Sequence, residues 1–199
     1  MSKLRILITA FEPYDVWKSN SSWLALVELT KELPERPKVV TRRYPVDFST
    51  VRERLAEDLK LGFDYALHLG QAPGSTRIQF EAIAINVGGS SQQHPDTYRP
   101  LVEDGPVAYR SNLPLAAWAE RLRELGIPAQ VSYHAGTYLC NATMYYSCYL
   151  AERMSLPTQS VFIHLPLDYS QTCEKPHNHP ALPTALAAAG IREILLRLC

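Results

Sequence analysis

The feature that most constrains the fold is a regular alternation between short apolar runs and longer helical patterns. Six runs rich in aliphatic and β-branched residues have the length of buried strands. They cover residues 4–10, 38–44, 65–70, 78–87, 129–133 and 161–166. Five helices are predicted from caps and apolar periodicity, starting at Asn20 or Ser21, at Ser49, at 115, at 138–140 and at 183, and ending near 33, 61, 125, 154 and 198. This order predicts an α/β fold, a three-layer αβα sandwich with a mostly parallel (mixed) twisted central sheet flanked by helices.

Chain length and charge narrow the class of protein. With 199 residues, of which 46% are hydrophobic, the chain can bury one substantial core, so we expect a single domain over residues 1–199. Twenty Lys and Arg balance twenty Asp and Glu, and there is no basic block. We therefore expect no nucleic-acid or membrane partner, and a small molecule or peptide as the ligand.

The amino terminus and the cysteines bear on the compartment. Residues 1–10 lack the basic segment and long apolar run of a signal peptide, and no stretch reaches transmembrane length. The four cysteines, at 140, 148, 173 and 199, are sparse and irregularly spaced, unlike a disulfide framework. These observations predict reduced thiols and a cytoplasmic location.

Cys140 is the first candidate for a chemical role. It follows a Gly-bearing turn and opens an apolar-periodic helix, and a thiol in the first helical turn lies at the positive end of the helix dipole, which stabilises the thiolate. Simple packing is the alternative, since free cysteines are often buried. The residue pattern alone leaves both interpretations open.

Two histidines compete for the role of a proton carrier. His164 lies near the carboxyl end of an apolar strand, where it could take a proton from a nucleophile on a neighbouring loop. His68 has nearly the same setting in the strand at 65–70. Position in the sequence does not choose between them.

Glu81 lies within the apolar run at 78–87, where alternation places it on one strand face with Ile83 and Ile85. Burying an unpaired carboxylate is costly, so Glu81 needs a cation. A structural ion pair with Arg77 and a catalytic partnership with a histidine are equally compatible with the pattern.

The chemical role of two further segments is considered next to that of the strands and helices. Residues 88–106 are polar and longer than an ordinary connection, so they form either an active-site loop or a disordered excursion. Cys173, His177 and His179 are too close in sequence, and have no fourth ligand, to favour a metal site. We expect no metal and no cofactor.

Taken together, six segments resemble motifs of the pyroglutamyl peptidase I (pyrrolidone-carboxylate peptidase) family of cysteine peptidases. They are Ile8 to Tyr14 (ITAFEPY), Asn20 to Trp23 (NSSW), Phe80 to Asn86 (FEAIAIN), Asp104 to Pro114 (DGPVAYRSNLP), Ala135 to Asn141 (AGTYLCN) and Phe162 to Pro166 (FIHLP). The heptamer containing Cys140 is specific, and all six occur in the family's order. The resemblance therefore covers most of the chain.

The resemblance implies an omega-peptidase that releases amino-terminal pyroglutamate through a thioacyl-enzyme intermediate. It selects His164 over His68 and gives Cys140, His164 and Glu81 the catalytic roles. It implies that Phe11, Tyr14 and Leu139 lie against the lactam ring, with hydrogen bonds from the backbone around Gln71. Peptides with amino-terminal pyroglutamate would be the substrates, and the protein would be a homo-oligomer, a tetramer by analogy.

Three departures from the family's pattern stand out. Tyr14 replaces a phenylalanine, and Asp15-Val16 stands where the family has a glycine pair. The family's arginine shortly after Ala-Ile-Asn is missing, and the next arginine is Arg99. The sequence does not indicate whether Arg99 takes its place.

Overall fold

The computed structural model describes residues 4–90, 92–173, 175 and 177–198. Its strands are β1 (Arg5–Phe11), β2 (Lys38–Tyr44), β3 (Tyr65–Gln71), β4 (Ile78–Glu81), β5 (Ile83–Ile85), β6 (Ala108–Arg110), β7 (Ala129–Ser132) and β8 (Gln159–Leu165). Its α-helices are α1 (Ser21–Thr30), α2 (Phe48–Leu59), α3 (Leu115–Glu124), α4 (Leu139–Arg153), α5 (Tyr169–Thr172) and α6 (Thr184–Arg197), with a 3₁₀ turn at Pro95–Thr97.

Six of the strands form one mixed sheet in the order β2-β1-β3-β8-β4-β7. The first four run parallel, whereas β4 pairs antiparallel with β8 and parallel with β7. The predicted α/β class with a mostly parallel sheet is therefore confirmed. The reversal at β4 places the carboxyl end of β4 beside the middle of β8.

Helices cover both faces of this sheet. In β1, Ile6, Ile8 and Ala10 point into one buried cluster, while Leu7 and Phe11 point into the other. The first cluster packs beneath α1, α3 and α6, and the second beneath α2 and α4. Side chains that alternate between the two faces of the strand therefore contact helices on both sides of the sheet, which gives three layers.

The predicted strand at 78–87 is wrong as one element, because it divides at Ala82. The Ala82 N–H donates to the Ser132 carbonyl at 2.7 Å, and the Ala82 carbonyl accepts from the Ser111 N–H at 3.0 Å. The chain then leaves the main sheet, and β5 pairs antiparallel with β6 in a two-stranded sheet. A periodic pattern carries no information about such a change of partner.

Helix boundaries differ from the predictions by a few residues. Asp47, not Ser49, caps α2, since its carboxylate accepts the Thr50 N–H at 2.8 Å. Asn20 caps α1 as one of the two predicted candidates, by accepting the Ser22 N–H. No helix among the described residues combines the length and apolar character needed to cross a membrane.

Candidate active site

The reversed direction of β4 brings Glu81 next to His164. Glu81 pairs with Phe162 across the β4–β8 ladder, so His164, two residues along β8, is its diagonal neighbour on the same face. The distance from His164 Nδ1 to Glu81 Oε1 is 2.7 Å, and the two residues are 8% and 1% exposed. Glu81 therefore has the cation that its burial demands, and Arg77 lies exposed at the start of the strand.

Cys140 lies in the first turn of α4. The helix begins at Leu139 after the turn at Gly136, which has a φ of 80°, and Tyr138 makes no side-chain capping hydrogen bond. The first-turn N–H groups thus lack a cap from the residue that usually provides one. The thiol and these N–H groups, which Tyr138 does not cap, share the same end of the helix.

Asn141 anchors that helix start to β5. Its side-chain amide donates to the carbonyls of Ile85 and Val87 at 2.9 and 3.0 Å, and its Oδ1 accepts the Ile85 N–H at 2.8 Å. This role was not predicted from the sequence. There, Asn141 is only a polar residue that directly follows the cysteine in a helix with apolar periodicity. The three bonds fix the position of Cys140 relative to the sheet.

Gly70 on β3 makes room for the thiol. A Cβ at this position would come within 2.4 Å of the Phe162 ring and 3.2 Å of Cys140 Sγ. Distances of this kind do not occur between well-packed atoms, so the site requires glycine here. The close approach of strand and helix is therefore part of the site's construction.

His164 is charged by its surroundings. Burial opposes the imidazolium, but the interactions with Cys140 and Glu81 outweigh burial and raise the pKa of His164 to about 10. The imidazole consequently holds a proton at neutral pH, between a carboxylate on one side and a sulfur on the other. Such an arrangement places a positive charge beside the Cys140 sulfur.

His68 has a different environment. Its Nδ1 shares a hydrogen bond of 2.9 Å with the Thr9 hydroxyl, and complete burial lowers the pKa of His68 to about 3. In the part of the chain that the structure describes, burial alone acts on its pKa, so it stays neutral at any physiological pH. The two histidines that the pattern could not distinguish differ in whether an acidic group faces them.

A small apolar pocket adjoins Cys140. Its volume is about 40 Å³, and its lining includes the four residues predicted to bind the ring, namely Phe11, Tyr14, Gln71 and Leu139. Burial, together with the charges of Cys140 and Asp15, raises the pKa of Tyr14 to about 12, so its hydroxyl remains neutral. The pocket offers aromatic and aliphatic walls and uncharged polar groups.

The pocket opens into a larger groove of about 740 Å³. Cys140, Tyr14, Gln71, Tyr138 and Val46 line both, and His164 lies in the groove. The sulfur thus lies at the junction between a small pocket and an open channel.

The described part of the segment 88–106 forms a loop against this groove. Gly88 and Arg99 pair as an antiparallel bridge, and the Gly89 N–H donates to the Thr137 carbonyl at 2.9 Å, which joins the loop to the turn before Cys140. Tyr98 lines the groove and lies so close to Gly89 that a Cβ there would be 2.1 Å from its ring. Of the two interpretations, the structure favours an active-site loop.

Arg99 does not line the pocket or the groove. Its guanidinium instead donates to the carbonyl of Tyr98 at 3.0 Å, within its own loop. The role of the family's arginine is thus not taken over by Arg99 in this arrangement. In the described ranges, no three His, Cys, Asp or Glu side chains gather as a metal-binding group.

The chain is similar to pyroglutamyl peptidases in both sequence and structure. The family model for pyroglutamyl peptidases matches residues 4–196. The chain is 37% identical to the pyrrolidone-carboxylate peptidase of Thermococcus kodakarensis over 91% of this chain and 90% of that protein, and 34% identical to that of Pectobacterium carotovorum over 96% and 91%. The crystal structure of pyrrolidone carboxyl peptidase from Fervidobacterium islandicum matches with a TM-score of 0.92 and 35% identity, covering 98% of both chains. The match to the enzyme from Thermococcus litoralis has a TM-score of 0.85 and 28% identity, over 98% of this chain and 92% of that one. These matches confirm the resemblance seen in the six motifs, and the chain belongs to the pyroglutamyl peptidase family.

Proposed function

We propose that this protein hydrolyses the amide bond that follows an amino-terminal pyroglutamyl residue and releases free pyroglutamate. The observation that carries the proposal is that His164 interacts with both Glu81 and Cys140, and that Cys140 lines a small, uncharged pocket. Family membership gives the reaction class. The uncharged lining of the pocket supports pyroglutamate as the residue that is removed.

Cys140 acts as the nucleophile. Its thiolate attacks the carbonyl carbon between pyroglutamate and the next residue, and the imidazolium of His164 donates its proton to the departing amine as the C–N bond breaks. A thioester to Cys140 remains. His164, now neutral, takes a proton from a water molecule that attacks the thioester, and cleavage of the C–S bond restores the thiolate and the imidazolium.

Glu81 orients His164 and stabilises its charge. The hydrogen bond to Nδ1 leaves Nε2 of the imidazole free for proton transfer, which is the division of roles seen wherever a buried carboxylate supports a catalytic histidine. Because Glu81 is almost fully buried, water screens this interaction very little.

The negative oxygen that forms during attack needs hydrogen-bond donors. The uncapped N–H groups in the first turn of α4, including that of Cys140, are suited to hold it, with the helix dipole adding to their effect. No arginine lines the site among the described residues, so backbone donors carry this role here.

The small pocket beside Cys140 suits a pyroglutamyl ring. A flat neutral lactam fits between Phe11, Tyr14 and Leu139, whereas a free α-ammonium group would lose its hydration without gaining a carboxylate. Proline carries such a charged amine at its amino terminus and lacks the ring carbonyl. Both properties exclude it.

A panel of pyroglutamyl, prolyl and alanyl anilides tests the proposal. We expect rapid release from the pyroglutamyl compound alone, and no release by the Cys140→Ser variant with an unchanged circular dichroism spectrum. Cys148, on the same helix, is the matched control, and Cys148→Ser should keep the activity. Faster cleavage of the prolyl or alanyl compound would contradict the proposal.

The resemblance also leads us to propose a homo-oligomer, a tetramer, acting in a reducing cytoplasm. Cys140, Cys148 and Cys173 are free thiols in the structure, as that compartment requires. Sedimentation equilibrium would give the mass of the assembly, and fractionation of cells would locate the activity. A monomeric, exported enzyme would contradict both parts.

A further inference from the structure

Gln71 presents an unused hydrogen-bond donor to the ring pocket. The residue is 3% exposed, and its Nε2 atom is buried without a hydrogen-bond partner among the described residues. A polar interaction with the Gln71 side chain lowers the pKa of Tyr14 against the larger effect of burial, but Nε2 meets no acceptor of the described residues within hydrogen-bond geometry. A buried donor without a partner is costly, so its retention beside a pocket indicates a ligand acceptor.

Two hydrogen bonds to its oxygen fix the orientation of the Gln71 side-chain amide. Its Oε1 accepts the Ser21 N–H at 2.8 Å and the Gln171 Nε2–H at 2.7 Å. These two donors occupy both lone pairs of the oxygen. The opposite orientation would set the amide N–H groups against two donors, so Nε2 must face the pocket.

Gln171 owes its own orientation to the loop after β8. Its Oε1 accepts the Asp168 N–H at 2.9 Å, and its Nε2 donates to the Ser19 carbonyl at 2.9 Å as well as to Gln71. Asp168 is held in turn, because its carboxylate accepts the N–H groups of Ser170 and Thr184 at 2.9 and 2.8 Å. Gln171 is 9% exposed and does not line the pocket.

We infer that Gln171 is a positioning residue for substrate specificity, which holds the Gln71 side chain so that its N–H group donates to the ring carbonyl of pyroglutamate. This inference rests on the proposed function and goes beyond it by naming a residue outside the pocket. The ring carbonyl is the group that separates the lactam from proline. A site that hydrogen-bonds such a group strongly rejects analogues that lack it.

The decisive variant is Gln171→Glu. Glutamate keeps the volume and the acceptor for the Asp168 N–H, so the capping box of α5 survives, but it cannot donate to Gln71 and repels its Oε1. Gln71 then turns its oxygen toward the pocket. We expect KM for pyroglutamyl anilide to rise about tenfold and kcat to stay within about threefold, since a ground-state hydrogen bond is lost.

Gln171→Leu removes both the donor to Gln71 and the acceptor of the Asp168 N–H, without adding charge, and should raise KM about fivefold. Gln159→Glu is the matched control, because Gln159 is exposed at the start of β8 and the same change there should leave both constants unaltered. Melting curves of all three variants would show whether the fold is kept. A normal KM in folded Gln171→Glu would overturn the inference, as would a loss confined to kcat.

Calorimetric titration with pyroglutamate, and with proline for comparison, separates this inference from the proposed function. We expect the Kd for pyroglutamate to rise about tenfold in Gln171→Glu, with no change in the weak binding of proline. If the unaltered protein bound pyroglutamate without turnover, the proposed function would fail while the inference stood. Equal Kd values for the unaltered protein and Gln171→Glu, or no binding to either, would refute the inference itself.

Discussion

Replacement of Glu81 by glutamine tests the electrostatic core of the site. Glutamine has the same shape and can still accept the His164 Nδ1–H through its carbonyl oxygen, so the geometry should persist. What disappears is the negative charge. The pKa of His164 lies near 10 instead of 6.5, and Cys140 and Glu81 are the two groups that raise it. Cys140 contributes more to this rise than Glu81, so a Glu81 share somewhat below half corresponds to about 2 kcal/mol of imidazolium stabilisation.

A loss of about 2 kcal/mol leads us to expect two results. The population of the imidazolium–thiolate pair falls, and kcat/KM for pyroglutamyl anilide should drop about 30-fold to 100-fold at neutral pH. The free energy of unfolding should fall by about the same 2 kcal/mol, which lowers the melting temperature by about 4–8 °C in a chain of this size. Glu57→Gln, at an exposed position of α2, is the control and should change neither quantity.

The pH dependence of the stability difference has a definite sign. Because the folded pKa of His164 is raised, its stabilising contribution is complete below pH 6.5 and is lost as the pH rises toward 10. Urea unfolding of the unaltered and Glu81→Gln proteins at half-unit steps from pH 6.5 to 10 measures this. The gap between their free energies of unfolding should stay constant up to about pH 8, where the imidazole of the variant begins to lose its proton, and should then shrink between about pH 8 and 10. A gap that stays constant or widens between about pH 8 and 10 would refute the reasoning.

Three other outcomes follow from the same site. Gly70→Ala should lower both activity and stability, because the added methyl group would overlap the Phe162 ring and approach the Cys140 sulfur. The free energy of unfolding, measured with heat or urea, should fall by about 1–3 kcal/mol. A fully active variant would show that the strand has room to shift. Asp15 is the carboxylate among the described residues lining the groove, so peptides with lysine after pyroglutamate should be cleaved about twofold to fivefold faster than those with glutamate at low salt, and Asp15→Asn should remove the preference. Iodoacetamide should inactivate the enzyme and chelators should not, and inhibition by a chelator would bring back the metal hypothesis.

The order of strands and helices was predictable because each element carries its own periodicity. The start of α4 before Cys140 was also readable, from a glycine turn followed by an apolar helix. The contact between Glu81 and His164 could not be predicted from periodicity. It depends on β4 running antiparallel to β8 and on the register between two residues that are 83 positions apart. The resemblance to the family implied that Glu81 and His164 act in the same site, but it gave no structural reason for their contact.

The supporting residues were the least predictable part. Asn141 and Gln171 look like ordinary polar residues in sequence, yet each joins segments that are far apart along the chain. Their importance comes from which backbone groups they satisfy, and that is set only when the sheet and helices have assembled. The strand expected at 78–87 failed for the same reason, because the partner of each half decides where it ends.

The division of space around Cys140 bears on why such a site would remove only terminal residues. On one side lies a pocket of about 40 Å³ lined by the buried Phe11 and Leu139, and on the other a groove of about 740 Å³. A substrate with residues before the scissile ring would need room for them on the side of the small pocket, where these buried side chains restrict the space. Residues after the scissile bond can extend along the groove past His164, which is where a proton must reach the departing amine. The same asymmetry that admits one ring therefore also directs the leaving peptide toward its proton donor.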